Sequence, residues 1–282
     1  MLKVVLLVSD ELKQRYVAQE VSRVAKIPGI VIEKRYTPGY RWKNFLRSNN
    51  FSLLRITHSL ILKGILSFYQ RNYSRIMRDY FTHNGKPIPW IEGAEIIETQ
   101  NINTPFVVEK VIGWEPDILA IFGTRIVKEE LRNIPSLCSI NVHTGLSPYY
   151  RGGESAFWCL YNKEPEYIGV TVHYLDAGID SGDIIYTARP ILEIDDNLAT
   201  IECKLASLGA ILLKEAIIAI EKGTVKKIPR WIEGKLYYNR MFTLRKRIEV
   251  ERNLRRGLLS KYMKTKKPPP KTFPPPSLMH YA

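Results

Sequence analysis

The sequence predicts an α/β protein: an open, twisted, mostly parallel sheet with helices on both faces, a helical insertion, and a basic C-terminal extension. Three observations predict it. An apolar segment of strand length at residues 2–8 is followed by helical periodicity over 10–26 and a second apolar run at 29–34, the spacing of a parallel βαβ unit. Strand-like and helical runs alternate again from 104 to 221. Between these stretches, residues 36–92 turn rich in Tyr, Arg and Leu, and after 221 the composition shifts to Lys, Arg and Pro.

The first strand is Leu2 to Val8, and the helix after it shows apolar positions Leu12, Val17, Val21 and Val24. The intervening turn, Val8-Ser9-Asp10-Glu11, has no glycine and so lacks a dinucleotide fingerprint. In the insertion, Leu53, Ile56, Leu60, Ile61, Ile65, Phe68 and Tyr69 fall near helical spacing. The spacing predicts a long amphipathic helix running towards Phe81 with its apolar face on the core, stopped by Asn84-Gly85-Lys86-Pro87. Further on, 104–113 and 128–133 read as helices, and 117–122, 137–142, 170–174 and 184–188 as strands. Residues 197–221 read as a strong helix on Leu205, Leu208, Leu212, Leu213, Ile217 and Ile220. Residues 1–228 are expected to form the catalytic domain, with the insertion at 36–92. Residues 229–282 are expected to form a basic, partly disordered extension, because Pro268–Pro270 and Pro274–Pro276 suit polyproline more than a core.

A hydrophobic fraction of 45% supports a sizeable core and excludes global disorder. Cys138, Cys159 and Cys203 form no CxxC pair and no ligand spacing, the pattern of a reduced, cytoplasmic protein with inert thiols. No secretory leader and no membrane span are expected, since Leu53 to Tyr69 is broken by Arg55, His58 and Lys63. The net charge of +14 is uneven: residues 222–282 carry 17 Lys/Arg against three Asp/Glu, and residues 36–90 carry nine against one. Two basic surfaces on an acidic body suit an anionic partner, whether a phosphorylated substrate, a membrane surface or RNA.

Two blocks carry chemistry. In Ser139-Ile140-Asn141-Val142-His143, strand alternation puts Asn141 and His143 on one face, at the carboxyl edge where open α/β sheets bind ligands. The loop after it contains Pro148 and Arg151-Gly152-Gly153. The second block, Gly169 to Asp183, runs from a strand into a loop with Asp176, Asp180 and Asp183. A carboxylate brought to His143 would orient the imidazole and raise its basicity. A calcium loop on these aspartates lacks the dense oxygen pattern and terminal Glu that the ion needs.

Together the blocks resemble the folate-dependent formyltransferase family, which includes methionyl-tRNA, glycinamide ribonucleotide and sugar N-formyltransferases. The match is Asn141-Val142-His143, Pro148, Arg151-Gly152, Gly169-Val170-Thr171-Val172-His173 and Asp180-Ser181-Gly182-Asp183. The resemblance covers residues 95–228 well and the first βαβ unit more loosely, and implies a Rossmann-like fold. It implies Asn141, His143 and Asp180 as catalytic residues and 10-formyltetrahydrofolate as co-substrate. It also implies a pterin site on the backbone of Phe122, Gly123, Thr124 and Ile126, in the segment that includes Arg125, and on Leu175, Asp176, Ala177, Gly178 and Ile179. Arg151 and Gly152 are the implied acceptor-binding residues, and no metal is required. One departure is Thr144-Gly145-Leu146-Ser147-Pro148, where the family usually has Pro/Gly-Ser-Leu-Leu-Pro. The chemistry fits the residue types: an amine attacks the formyl carbon, Asn141 and His143 can donate to the oxyanion, and Asp180 with His143 can move the proton. Which of those two accepts it stays open.

Acceptor branches differ in sequence. A glycinamide ribonucleotide enzyme would carry a Gly-Ser/Thr-rich phosphate turn where this chain has Ser9-Asp10-Glu11. A methionyl-tRNA enzyme would add a β-barrel of ~100 residues, whereas the Pro-rich segment after Lys227 does not suit one. The expected acceptor is a primary amine on a small molecule, an amino sugar on a nucleotide carrier, as in surface-polysaccharide synthesis. Alternatives are a methionyl-tRNA-type enzyme, formyltetrahydrofolate hydrolysis, or a non-catalytic folate- or RNA-binding protein. The basic tail suits peripheral attachment to an anionic membrane or an assembly partner better than nucleic acid, and an oligomer is left open.

Overall fold

A computed structural model of the chain describes residues 1–34, 53–265 and 268–281. Its elements in chain order are β1 (Val4–Ser9), α1 (Leu12–Ser22), β2 (Gly29–Glu33), α2 (Leu53–Phe81), β3 (Thr82–His83), β4 (Lys86–Pro87), β5 (Glu95–Thr99), α3 (Pro105–Gly113) and β6 (Ile118–Phe122). They continue with α4 (Glu129–Arg132), β7 (Cys138–His143), β8 (Tyr150–Gly152), α5 (Ser155–Tyr161), β9 (Val170–Tyr174), β10 (Ile184–Ala188), α6 (Leu198–Glu221), β11 (Lys235–Tyr237), α7 (Leu244–Arg255) and α8 (Leu258–Lys264). The main sheet has the order β10-β9-β7-β6-β1-β2-β5. Its strands from β5 to β7 are parallel, and β9 runs antiparallel to both β7 and β10. The expected open, mostly parallel sheet is therefore present. Chain direction across it reverses between β1 and β6, which makes their carboxyl ends a topological switch point.

Alternation along the strands builds two cores. Val4, Leu6 and Val8 of β1, with Ile118, Ala120 and Phe122 of β6 and Ile140 and Val142 of β7, face α1 and the buried stripe of α6. Val5, Leu7, Leu119 and Ile121 face the other way, onto Val107 and Val111 of α3 and Leu131 of α4. No residue of β7 or β9 joins that second cluster among the described residues. The side chains of β7 that point to this face, Asn141 and His143, thus emerge where helical cover stops. α6 is started by a reciprocal cap: Asn197 Oδ1 accepts from Thr200 N at 3.2 Å, and Thr200 Oγ1 accepts from Asn197 N at 2.9 Å.

Helix α2 confirms the helical reading of the insertion over Leu53–Phe81, while residues 36–52 lie outside the described residues. Its packing differs from expectation. Among the described side chains, Met77 and Phe81 near its C-terminal end are buried, whereas Leu60 and Ile61 are exposed. The turn at Asn84-Gly85 closes the β3–β4 hairpin, with Gly85 at φ 71°. Several elements carried no sequence expectation, among them β5, an edge strand reading Glu-Ile-Ile-Glu-Thr, and α5, buried at six of its seven positions.

The C-terminal segment folds back onto the body. β11 pairs in parallel with β8, Val250 of α7 and Leu259 of α8 are buried, and Phe273 exchanges hydrogen bonds with Thr187 at the end of β10. This departs from a partly disordered extension, because Val250, Leu259 and Leu278 supply apolar anchors between the charges. The basic segment is helical over α7 and α8, divided at Gly257 (φ 77°), and Lys266 and Lys267 lie outside the described residues. Two of its cations are turned inward: Lys246 lies 4.8 Å from the Trp158 ring centroid, and Arg247 Nε donates to Glu251 at 3.1 Å. Among the described residues no helix is long and apolar enough to cross a membrane. If this packing contributes to stability, Leu259→Ala should cost about 2–5 kcal/mol, the range for deleting a buried leucine side chain. Urea denaturation followed by tryptophan fluorescence checks this, and an unchanged midpoint would show α8 to be energetically detached.

Candidate active site

The strand ends β1, β6 and β7 open into a cleft of about 480 Å³. Asn141 and His143 come from β7, and His173 stands directly opposite Asn141 in the antiparallel register with β9. The loop after β9 then folds back to bring Asp180 onto all three. Asp180 Oδ2 accepts from Gly152 N at 2.8 Å and lies 3.2 Å from His143 Nδ1. Asp180 Oδ1 accepts from Asn141 Nδ2 at 3.3 Å and lies 3.4 Å from His173 Nε2. Asp180 adopts φ 45°, a left-handed conformation that costs roughly 1–2 kcal/mol, offset by these hydrogen bonds. Sequence reasoning singled out Asn141, His143 and Asp180, and the structure brings them together.

The electrostatics assign protonation. Burial opposes ionisation of Asp180, but His143, His173 and the Gly152 amide outweigh it and hold the carboxyl well below its ordinary range. Burial also pushes the His143 imidazole below its ordinary value, against the attraction of Asp180. The neutral His143 donates from Nδ1 to Asp180. Its Nε2 then faces Ser155 Oγ at 3.3 Å, a donor, and the Tyr150 carbonyl oxygen at 3.0 Å, an acceptor. A second proton arriving at Nε2 therefore finds a hydrogen-bond acceptor already in place. A Cβ at Gly145 would overlap both His143 Nε2 and Ser155 Oγ, so the glycine of the Thr144-Gly145 departure leaves room for this contact. His173 Nδ1 lies 2.8 Å from Tyr174 O and its Nε2 lies 3.1 Å from Asn141 Nδ2, so the tautomer protonated at Nδ1 donates to the carbonyl and accepts from the amide. Both Asn141 amide hydrogens are thus committed, one to His173 and one to Asp180.

The two loops expected around a pterin line the same cleft. Phe122, Gly123, Thr124, Arg125 and Ile126 form one wall, and Leu175, Asp176, Gly178 and Ile179 another. Ala177 lies at the exposed tip and does not line it. The first loop is tied down by Glu33, whose Oε2 accepts from Arg125 N at 2.8 Å. The second is tied by Arg132 Nη1 donating to Asp176 O at 2.9 Å, and by Asp176 Oδ1 accepting from Ser181 Oγ at 2.6 Å. Arg151 and Gly152 separate. Gly152 lines the cleft and binds Asp180, whereas Arg151 is absent from the cleft lining, its guanidinium donating to Glu233 Oε1 at 3.1 Å. Gly152 has φ 86°, and a Cβ there would overlap the Tyr237 carbonyl oxygen of β11.

Several lining residues were missed by sequence reasoning. His173 faces Asn141 only through strand register. Gln14, beneath Gly123, donates from Nε2 to Ser9 Oγ at 2.9 Å, while its buried Oε1 has no hydrogen-bond partner among the described residues. Tyr237, Tyr238 and Asn239 reach the cleft through β11 and the residues that follow it, and Glu11, Lys13 and Glu154 also line it. The linkage signs are testable. His143 is depressed in the folded state, so its contribution to stability is present above its unfolded value of about 6.5 and is lost as pH falls below it. Asp180 is also depressed, and its contribution is lost only below about 4. Urea midpoints at pH 7.5 and 5 should therefore fall more for the wild type than for His143→Gln. Equal falls would contradict a buried, neutral His143.

Residues 76–217, half of the chain, match the family described as formyl transferase. Methionyl-tRNA formyltransferase of Acetivibrio thermocellus is 36% identical over 147 residues, covering 51% of this chain and 46% of that protein. The chain thus spans about half the length of the curated relatives it matches. Among solved structures, a 4-N formyltransferase from Francisella tularensis superposes with a TM-score of 0.54 at 18% identity, covering 89% of this chain and 87% of that one. An N-formyltransferase from Helicobacter canadensis, in complex with folinic acid and dTDP-3-aminofucose, superposes with a TM-score of 0.51 at 17% identity, covering 86% and 73%. At these identities the likeness to solved structures is one of fold, while the family match rests on the segment that carries Asn141, His143 and Asp180: this chain belongs to the formyl transferase family.

Proposed function

We propose that the protein transfers a formyl group from 10-formyltetrahydrofolate to a primary amine, most specifically that of an amino sugar on a nucleotide carrier. The observation that carries the reaction is the convergence of Asn141, His143 and Asp180 at one end of a cleft walled by two backbone-rich loops. The cleft fits a reduced folate in kind. Ile121, Phe122 and Val127 supply apolar lining, and Gln14 Oε1 offers an acceptor without a partner among the described residues. The amino-sugar reading is supported by the fold shared with the Helicobacter canadensis enzyme and the sugar its structure contains. Identity to methionyl-tRNA formyltransferases supports a second reading, in which the amine belongs to a charged tRNA.

In this mechanism the neutral amine attacks the formyl carbon, and the carbonyl electron pair moves to oxygen. Asn141 supplies the oxyanion donor by releasing one of its two amide hydrogens from His173 or Asp180. His143 accepts the proton from the attacking nitrogen, because Asp180 is held ionised and its oxygens already face donors. The imidazolium so formed is flanked by Asp180 at Nδ1 and Tyr150 O at Nε2. The carbon–nitrogen bond to the folate then breaks, and the proton passes to the departing nitrogen.

His143→Ala and Asp180→Ala should each lower the transfer rate by at least ~10²-fold, the scale of a positioned proton-transfer group. Turnover near the wild-type level in either variant would remove this mechanism. Calorimetry with 5-formyltetrahydrofolate, a stable analogue, should show binding by the wild type without added metal. An absence of heat at millimolar analogue would contradict the assignment of the two loops.

A further inference from the structure

We propose that Glu154 is a further catalytic residue, the base that takes the first proton from the acceptor's ammonium group where the catalytic cleft meets a second pocket. The inference rests on amine formylation as the reaction and adds a residue and a step to it.

The chemistry requires such a group. An amine flanked by electron-withdrawing groups, as in an amino sugar or an α-amino group, has a pKa of about 8 and is mostly protonated at pH 7, and an ammonium has no lone pair with which to attack. Two protons must therefore leave the acceptor nitrogen, one before attack and one after it. Asp180 is a poor base for the first, since Gly152 N and Asn141 Nδ2 donate to it and His143 lies at 3.2 Å. His143 serves the second, because that proton has to return to the departing folate nitrogen.

Glu154 is placed for the first proton. It lines the cleft that contains Asn141, His143 and Asp180, and it also lines a neighbouring pocket with Ser9, Asp10, Lys34 and Glu202. It directly precedes Ser155, whose Oγ lies 3.3 Å from His143 Nε2. Its backbone is left-handed, at φ 58°, a conformation disfavoured for a residue with a Cβ. Its side chain is exposed to the cleft, and among the described residues its carboxylate has no hydrogen-bond or salt-bridge partner. The charges around it come from three elements, Glu11 and Lys13 at the start of α1, Glu202 of α6 and Arg247 of α7, while Tyr73 of α2 donates its hydroxyl to Glu202. Glu154 is exposed, yet the surrounding protein limits its hydration. This desolvation, with repulsion from Glu202, raises its pKa to about 7 against the pull of Lys13. A carboxylate so tuned can take a proton and return it to solvent at neutral pH.

The step balances. The ammonium N–H bond breaks, its electron pair stays on nitrogen, and the proton bonds to a Glu154 oxygen, leaving a neutral amine and a neutral carboxyl. After transfer the carboxyl releases that proton to water.

Glu154→Gln and Glu154→Asp test the assignment in two ways. In kinetics with 10-formyltetrahydrofolate and dTDP-linked amino sugars, Glu154→Gln should lose about tenfold at pH 7, where roughly a tenth of an amine of pKa about 8 is free, recover towards wild type as pH rises to 9 and free amine accumulates, and be partly rescued by Glu154→Asp. Retained 5-formyltetrahydrofolate binding separates this loss from misfolding. A loss equal at pH 7 and 9, or no loss, overturns the role of Glu154 and leaves amine formylation standing. In the second arm, the Glu154 Cδ resonance of carbon-13-labelled wild type, assigned by its absence in Glu154→Gln, is titrated with and without glucosamine. The midpoint should lie near 7 and fall when glucosamine is present. An ordinary glutamate midpoint, or one that glucosamine does not move, overturns the proposal without any reference to turnover. Wild type that formylates none of the amines would instead contradict amine formylation itself.

Discussion

The carboxylate of Asp180 is the fixed point on which the cleft depends. It accepts from the Gly152 amide on one loop and from Asn141 on β7, and it faces His143 and His173 on two adjacent strands. Taking a charge out of water is costly unless donors replace the hydration. Here the replacement donors belong to separate elements, so satisfying one carboxylate also fixes a strand end, a loop and an imidazole relative to one another. The left-handed backbone of Asp180 is tolerated for the same reason: the hydrogen bonds over-determine a conformation that the residue would not choose alone.

The sheet supplies the surroundings that this carboxylate needs. Alternation sends every other residue of β1 and β6 into a helix-covered layer on each face. On β7, the residues of one parity, Ile140 and Val142, join the first layer, and Asn141 and His143 of the other parity join neither apolar cluster. An uncovered patch at a switch point is where a polar cluster can be buried by a ligand and still be reached from water. The C-terminal segment completes it: β11 pairs with β8, and Gly152, which donates to Asp180, has no room for a side chain because Tyr237 lies against it. The basic segment of the chain is therefore part of the wall of the cleft as well as a charged surface.

What the sequence disclosed follows from how local each signal is. Asn141 and His143 were legible because strand periodicity and a following Pro–Gly loop lie within a dozen residues. Asp180 was legible through family resemblance, since its approach to His143 depends on a loop reversal that spacing does not encode. His173 was quoted in the motif but not recognised as a neighbour of Asn141, because that contact is set by antiparallel register between β7 and β9. Tyr237 and Asn239 were invisible for the same reason at longer range. Strand β5 escaped because an edge strand carrying Glu95 and Glu98 lacks a clear apolar run, and α5 because Ser155 to Leu160 are all buried, leaving no polar face to mark a helical period. Arg151, a motif arginine expected at the acceptor, is bonded to Glu233 and does not line the cleft.

In the proposed mechanism His143 receives a proton from an amine, and the competing outcome is attack by water. The most direct discriminating measurement follows a carbon-13 label in the formyl group of 10-formyltetrahydrofolate by NMR, in the presence of amino-sugar acceptors. Transfer to an amine requires the label to appear as a formamide on the acceptor, with tetrahydrofolate released in equal amount. A label that appears only as free formate, whatever amine is present, would contradict it.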